Sequence, residues 1–243
     1  MIAGVILAGG VGARMSAGEL PKQYMELNNK PILMYSLEKF LRCNRIDCVF
    51  IGVHADWKAY TEDLICQYVP QERHRIFLVY GGKDRNETLQ NVISAIEMHF
   101  PAGEDDLIVT HDAARPFLTM RMIEENIDCA VKYGAVNTVV PAVDTIVISE
   151  DGRQISDIPN RAAMYYGQSP QTFRVRLLKE VYNTLTEEEK QTLTDACKIL
   201  SLRNHPVHLV KGEYTNLKIT TPGDYLVAQG FIQAGIYSDQ DEQ

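Results

Sequence analysis

Short apolar runs alternate with longer amphipathic stretches from Ile2 to Ala142, and this alternation constrains the fold more than any other feature of the chain. Ile2–Leu7, Cys48–Val53, Ile76–Tyr80, Leu107–His111 and Val136–Ala142 are brief and β-rich. Ile32–Leu41, Trp57–Tyr68, Arg85–His99 and Met120–Tyr133 carry helical periods. Strands that are apolar along their whole length belong to sheets covered on both faces, and such sheets are mainly parallel. The expected fold class is therefore α/β: a Rossmann-like, mainly parallel twisted sheet with helices on both faces. Open sheets of this kind bind ligands at the carboxyl ends of their strands. The glycines after Leu7, the pair Gly81-Gly82 and Asp112 all follow strands, so one crevice is expected to hold all three.

The pattern changes after Val143. Thr145–Ser149 alternates, Asp151-Gly152 is a hairpin turn signal, Gln154–Ile158 returns and Pro159 stops it. This predicts a protruding β-arm at about 144–165. An isolated hairpin is marginal in water, so the arm packs either on a second copy, making a homodimer, or back on its own domain. Helices are expected at Val175–Leu185, Leu193–Leu202 and Pro222–Gln233, with a strand at Val207–Val210 and a polar, frayed tail over Ser238–Gln243. Without linkers or repeats, the 243 residues are expected to form a single domain plus the arm.

Leu7-Ala8-Gly9-Gly10-Val11-Gly12-Ala13-Arg14-Met15, closed by Leu20-Pro21-Lys22, follows the first strand. Glycines there let backbone N–H groups approach a ligand that a Cβ would keep away. Arg14 and Lys22 add fixed positive charge, a combination suited to a polyphosphate. A P-loop is excluded, because Lys22 is followed by Gln23 and lacks the spacing. A dinucleotide loop is excluded too, because Met15 stands where the third glycine belongs. The other reading is a turn that binds nothing, since such loops recur across α/β folds.

The net charge of −8, from 24 basic against 32 acidic residues, disfavours nucleic acid and membrane surfaces as partners. A small anion remains possible if the cations converge on one cleft. No apolar run has the length of a membrane span, and the apolar start reads as a strand rather than a signal peptide. Cys43, Cys48, Cys66, Cys129 and Cys197 form no C-x-x-C, which fits reduced thiols in a cytoplasmic protein. His205 and His208 lack a third partner at zinc spacing.

Three further motifs carry chemistry. In Gly81–Thr88, Arg85 and Thr88 offer donors to a base or ribose, while Asp84 also suits a helix N-cap. In His111–Pro116, Asp112 ends a buried strand and needs a partner. That partner is either Arg115, as a salt bridge, or Mg²⁺, with Arg115 left to hold a phosphate. His111 reads as structural, not as a general base. In Gly212–Pro222, Lys218 either snorkels or reaches the crevice, and Asp224 is either a second metal ligand or a capping acid.

Taken in order, Leu7–Met15, Pro21–Tyr24, Gly81–Arg85, His111–Pro116, Asp144-Thr145, Gln168–Gln171, Thr194–Ala196 and Asn216–Lys218 resemble the sugar-phosphate cytidylyltransferases. The likeness is to the family holding the 2-C-methyl-D-erythritol 4-phosphate and ribitol-5-phosphate enzymes, and it runs from about Ile2 to about Gln233. It implies a nucleotide site of Leu7, Ala8, Gly9, Gly10, Gly12, Gly81, Gly82, Arg85 and Thr88. It implies that Arg14, Lys22 and Lys218 act on the CTP phosphates and the transition state. Asp112, Arg115, Thr145, Arg161 and Thr194 would hold the acceptor, some of them across a dimer, and Asp112 with Asp224 would serve Mg²⁺. Val147 replaces a lysine frequent in the methylerythritol branch. Met164–Gln171 and Thr194–Lys198 look more like the ribitol-phosphate, teichoic-acid branch, although Ser169 stands where the family often has threonine. The expected acceptor is therefore an alditol phosphate, D-ribitol 5-phosphate ahead of the branched one. A phosphate monoester is largely dianionic at neutral pH, with a second pKa near about 6, so no general base is required. A non-catalytic nucleotide-binding regulator is the reading from another class.

Overall fold

The protein is described here by a computed structural model covering residues 1–10, 20–101 and 103–236. Seven strands form one sheet: β1 (Ile2–Ala8), β4 (Cys48–Val53), β5 (Ile76–Tyr80), β6 (Leu107–Asp112), β7 (Ala135–Pro141), β8 (Tyr165–Arg174) and β9 (His208–Lys211). A two-residue pair, β2 (Glu26–Leu27) and β3 (Lys30–Pro31), stands apart. The strand order is β5-β4-β1-β6-β8-β7-β9. β1 is parallel to β4 and β6, β4 to β5, and β7 to β9, whereas β8 runs against both β6 and β7. One reversed strand therefore sits inside an otherwise parallel sheet, which agrees with the expected α/β class.

The two-faced burial predicted from the apolar runs is present. Along β1, Ile6 and Ala8 join one core while Ala3 and Val5 join the other. β4 splits likewise, Val49, Ile51 and Val53 against Cys48 and Phe50. This period of two is what a pleated strand imposes. The first core is closed by α1 (Ile32–Arg42), α2 (Lys58–Tyr68) and α4 (Met120–Tyr133). The second is closed by α3 (Arg85–His99), α5 (Val175–Asn183) and α7 (Ala196–Ser201). α8 (Pro222–Gln233) covers a smaller core around Leu27, Ile32, Phe117 and Ile219.

Four elements differ from expectation. β8 differs because Gln168, Ser169 and Gln171 are polar; their side chains are buried with hydrogen-bond partners. α6 (Glu187–Gln191) precedes a helix expected from Leu193 that begins only at Ala196. A capping box between Thr186 and Glu189 starts α6, and Asp195 caps α7 by accepting from Cys197 N at 2.7 Å. The arm has its turn, with Gly152 at φ +69° and Asp151 accepting from Arg153 N and Gln154 N. Its limbs, however, pair through one bridge, Ile148 with Asp157, rather than as strands. The arm leaves at the carboxyl end of β7 and returns into β8, so it rises from the same sheet edge as the glycine turns.

Candidate active site

The parallel strands β1, β4, β5 and β6 end at one edge and open a cleft of about 420 Å³. Leu7, Ala8, Gly9 and Gly10 line it where β1 exits, Gly82, Arg85 and Thr88 where β5 runs into α3, and Asp112 at the end of β6. Lys22 and Lys218 complete the wall from distant parts of the chain. The two turns pass closely: a Cβ on Gly81 would lie 3.3 Å from Gly9 Cα, tighter than ordinary contact. At Gly10 a Cβ would meet no atom of the described residues within 4 Å, and Gly10 is exposed in the cleft lining.

Side chains fix both turns. The buried Gln23 amide donates to the carbonyls of Ala8 at 2.8 Å and Gly10 at 2.9 Å. The Thr88 hydroxyl accepts from Gly82 N at 3.0 Å and donates to Asp84 O at 2.8 Å, so Thr88 shapes the loop that it lines. Asp84 is the N-cap of α3, accepting from Glu87 N at 2.8 Å. Gln23 lies inside the motif that drew attention to Lys22, but its stitching of the glycine turn was not foreseen.

Asp112 is the electrostatic centre. Lys218 Nζ lies 2.8 Å from one carboxylate oxygen and Arg85 Nε 3.2 Å from the other, with Arg115 Nε at 3.7 Å. Burial alone would raise the Asp112 pKa, but Arg85, Lys218 and Arg115 outweigh it and hold the carboxyl well below the usual range. Arg115 is buried and donates to Asn216 O at 2.6 Å. Burial lowers its pKa, Asp112 opposes this, and the guanidinium stays charged. The salt-bridge pairing of Asp112 with Arg115 is thus present, joined by Lys218 and Arg85.

Arg85 also links the cleft to the reversed strand. Its Nη2 donates to Gln171 Oε1 at 3.3 Å. The Gln171 amide donates in turn to Asp195 at 2.6 Å and Asn137 at 3.1 Å. His111 is fully buried, and burial takes its pKa down from 6.5 to about 4, so the ring is neutral. Its two nitrogens are taken by Ser169 Oγ and Arg115 O, consistent with the structural role expected of it.

Not every proposed residue meets in this cleft. Asp224 sits at the start of α8, where Oδ2 accepts from Thr220 N, Thr220 Oγ1 and Thr221 N at 2.7–2.8 Å. It does not line the cleft beside Asp112, and the geometry follows the capping reading. Thr145 and Arg161 belong to the exposed arm, where Arg161 donates to Val143 O at 3.1 Å. Thr194 is exposed just before Asp195. Gly12 and Arg14 lie outside the described residues.

The family model described as "IspD: 2-C-methyl-D-erythritol 4-phosphate cytidylyltransferase" matches residues 2–234. The chain belongs to this family. Among IspD-family relatives, a protein named ribitol-5-phosphate cytidylyltransferase from Streptococcus pneumoniae is 49% identical, covering 96% of this chain and 99% of that one. A solved 4-diphosphocytidyl-2C-methyl-D-erythritol synthase from Anaerococcus prevotii superposes with a TM-score of 0.78 at 28% identity, covering 96% of each chain. The Thermus thermophilus enzyme named 2-C-methyl-D-erythritol 4-phosphate cytidylyltransferase shares the fold, with a TM-score of 0.73 at 24% identity over 96% of this chain and all of that one.

Proposed function

We propose that this IspD-family protein transfers the cytidylyl group of CTP to D-ribitol 5-phosphate, giving CDP-ribitol and diphosphate for ribitol-phosphate polymers such as teichoic acids. The observation that carries the reading is the meeting of Lys218, Arg85 and Arg115 at Asp112, beside two abutting glycine turns, in an otherwise acidic protein. Bringing a phosphate dianion onto a triphosphate is opposed chiefly by charge. Lys22 and Lys218 offset that repulsion and stabilise charge on the α-phosphate and on the leaving diphosphate, and Arg14 is assigned the same role from its motif. Exposed backbone at Gly10 receives the nucleotide, and Asp112, with Arg115 buried behind it, orients the acceptor. The attacking oxygen needs no base, and His111, neutral and enclosed, has no proton-transfer task.

The donor set fits Mg²⁺ in one form. Asp112 offers a carboxylate whose oxygens are paired with Lys218 and Arg85, so magnesium would displace one of these and take substrate phosphates and water as its other ligands. No group of three or more metal-ligating side chains exists among the described residues, and Asp224 is occupied as a cap. Asp112 is therefore the residue assigned to the metal, which when bound supplies further charge neutralisation at the phosphates.

The arm carries exposed Val143, Val147, Ile148, Ile155 and Ile158, flanked by Tyr165 and Tyr166. Such a patch favours a homodimer through the arm, bringing Thr145 and Arg161 toward a partner's cleft. No helix among the described residues is long and apolar enough to cross a membrane.

Pyrophosphate release with CTP, followed in parallel for ribitol 5-phosphate and 2-C-methyl-D-erythritol 4-phosphate, tests the reading. Turnover with the ribitol ester is expected to exceed the other by at least about tenfold, a discrimination of about 1.4 kcal/mol. The reverse preference would favour the methylerythritol activity named in the family description. CTP binding without diphosphate release in the presence of either ester would favour a regulator.

A further inference from the structure

Beneath the cleft, four hydrogen bonds close on themselves. Ser169 Oγ and His111 Nδ1 are 2.9 Å apart, and His111 Nε2 and Arg115 O are 3.0 Å apart. Arg115 Nη1 donates to Asn216 O at 2.6 Å, and Asn216 Nδ2 donates to Ser169 O at 2.8 Å. A carbonyl can only accept, so Nε2 carries the imidazole proton and Nδ1 accepts from the Ser169 hydroxyl. The Ser169 oxygen is then free to accept from Asp112 N, at 3.1 Å. The direction of every bond is thereby fixed.

The ring joins four separate places: the end of β6, the turn after it, β8 and the segment before α8. His111, Ser169 and Asn216 are at most 1% exposed and Arg115 is 9% exposed, and none of the four lines the cleft. What the ring holds does line it. Asp112 hangs from Ser169 through its backbone, and Lys218 stands two residues beyond Asn216 on a stretch that has no regular secondary structure. The Asp112–Lys218 contact spans 106 positions of sequence, and no regular element carries both residues. Buried polar groups destabilise unless they are paired, and apolar side chains would fill the same volume without that risk. Directional bonds supply something apolar packing does not, which is a single register.

We propose that His111, Ser169 and Asn216 are positioning residues. Their ring with Arg115 sets Lys218 and Asp112 in mutual register for the transfer reaction, acting through those residues and not on substrate. The inference rests on the active-site reading above. In-line transfer needs the reacting atoms closely aligned, so loosening the ring acts on kcat more than on binding.

The test compares His111→Phe and Ser169→Ala, which break the ring, with His111→Gln and Ser169→Thr, which restore a donor or hydroxyl at the same place. Breaking variants are expected to lower kcat by about 10- to 100-fold with KM for CTP within about threefold, and the conservative ones to recover most of the loss. A breaking variant that folds with kcat within about twofold of wild type overturns the proposal. So does a lowered Tm with unchanged kcat in all four, which would make the ring structural only. If His111→Phe does not fold, Ser169→Ala decides alone. Crystal structures of the variants separate this outcome from a failure of the assigned activity, because they need no acceptor. The Asp112–Lys218 contact, 2.8 Å in the intact ring, is expected to open beyond about 4 Å in Ser169→Ala. An unchanged contact sinks the proposal even if the substrate is another.

Discussion

The sheet has two halves that build their share of the site differently. β5, β4 and β1 are parallel and apolar, and they offer the cleft backbone at Gly9, Gly10 and Gly82, while parallel β6 ends in the polar Thr110, His111 and Asp112. β8 and β7 bury polar side chains instead, among them Thr138, Gln168, Ser169, Gln171 and Thr172. The halves meet between β6 and β8, and Asp112 stands at that seam. Arg85 reaches it from the parallel side, while Ser169 supports it from the reversed strand. A nucleotide can be received by exposed backbone, which is common to all bases and sugars. Orienting a second, anionic substrate requires charges held at defined separations, and the polar half supplies that framework.

The largest effect should come from removing a cation at the seam. Lys218→Ala is expected to lower kcat by about 10²–10³-fold in a pyrophosphate-release assay, the scale of losing one transition-state donor. Lys22→Ala, on the parallel side, is expected to fall in the same range. A loss below about threefold for Lys218 would mean that the two halves do not share one reaction centre.

This division also explains what could be read in advance. β4, β5, α3, α4 and α8 coincide with the runs marked in the sequence, because apolar periodicity decides their burial. β8 was missed for the opposite reason: Gln171 is buried by pairing with Arg85, Asn137 and Asp195, and no local pattern announces partners so distant. Lys22, Asp112, Arg115 and Lys218 were legible as motifs. Their convergence on one carboxylate, the clamp made by Gln23 and the capping work of Asp224 depend on tertiary neighbours. The start of α6 does carry a local signal, the N-cap Thr186 followed three residues later by Glu189.

Substitutions of similar size should separate the halves by kind of effect. On the parallel side, a Cβ at Gly52 would lie 2.4 Å from Thr88 Cγ2. Gly52→Ala must displace Thr88, which holds Gly82 N, so it is expected to cost about 1–3 kcal/mol and to raise KM for CTP. On the polar side, the Thr138 hydroxyl donates to Pro170 O and accepts from Asn126. Thr138→Val removes these bonds from Pro170 O and from one N–H of Asn126, whose other N–H keeps Met122 O, and is expected to cost about 1–3 kcal/mol with KM for CTP unchanged. Urea unfolding and steady-state kinetics on both variants check the pair. A KM change in Thr138→Val as large as in Gly52→Ala would erase the distinction.

The smallest effect concerns a thiol in the apolar half. Burial, helped by the Asp47 carboxylate, pushes Cys48 up from 9.0 to about 11. The unfolded chain loses this proton near pH 9.0, while the folded chain keeps it until about pH 11. Between those values the folded state binds more protons, so the contribution of Cys48 to stability is full below pH 9.0 and declines as pH rises, by at most about 1.4 kcal/mol per pH unit. Cys48→Ala should remove that part of the slope while leaving kcat at neutral pH unchanged, because Cys48 packs in the core with Phe50 and does not line the cleft. Urea midpoints across this window measure the slope. If the slope is the same in Cys48→Ala, the parallel half does not exclude water at this strand, and the account of it as a dry scaffold under a backbone-lined site fails at its simplest point.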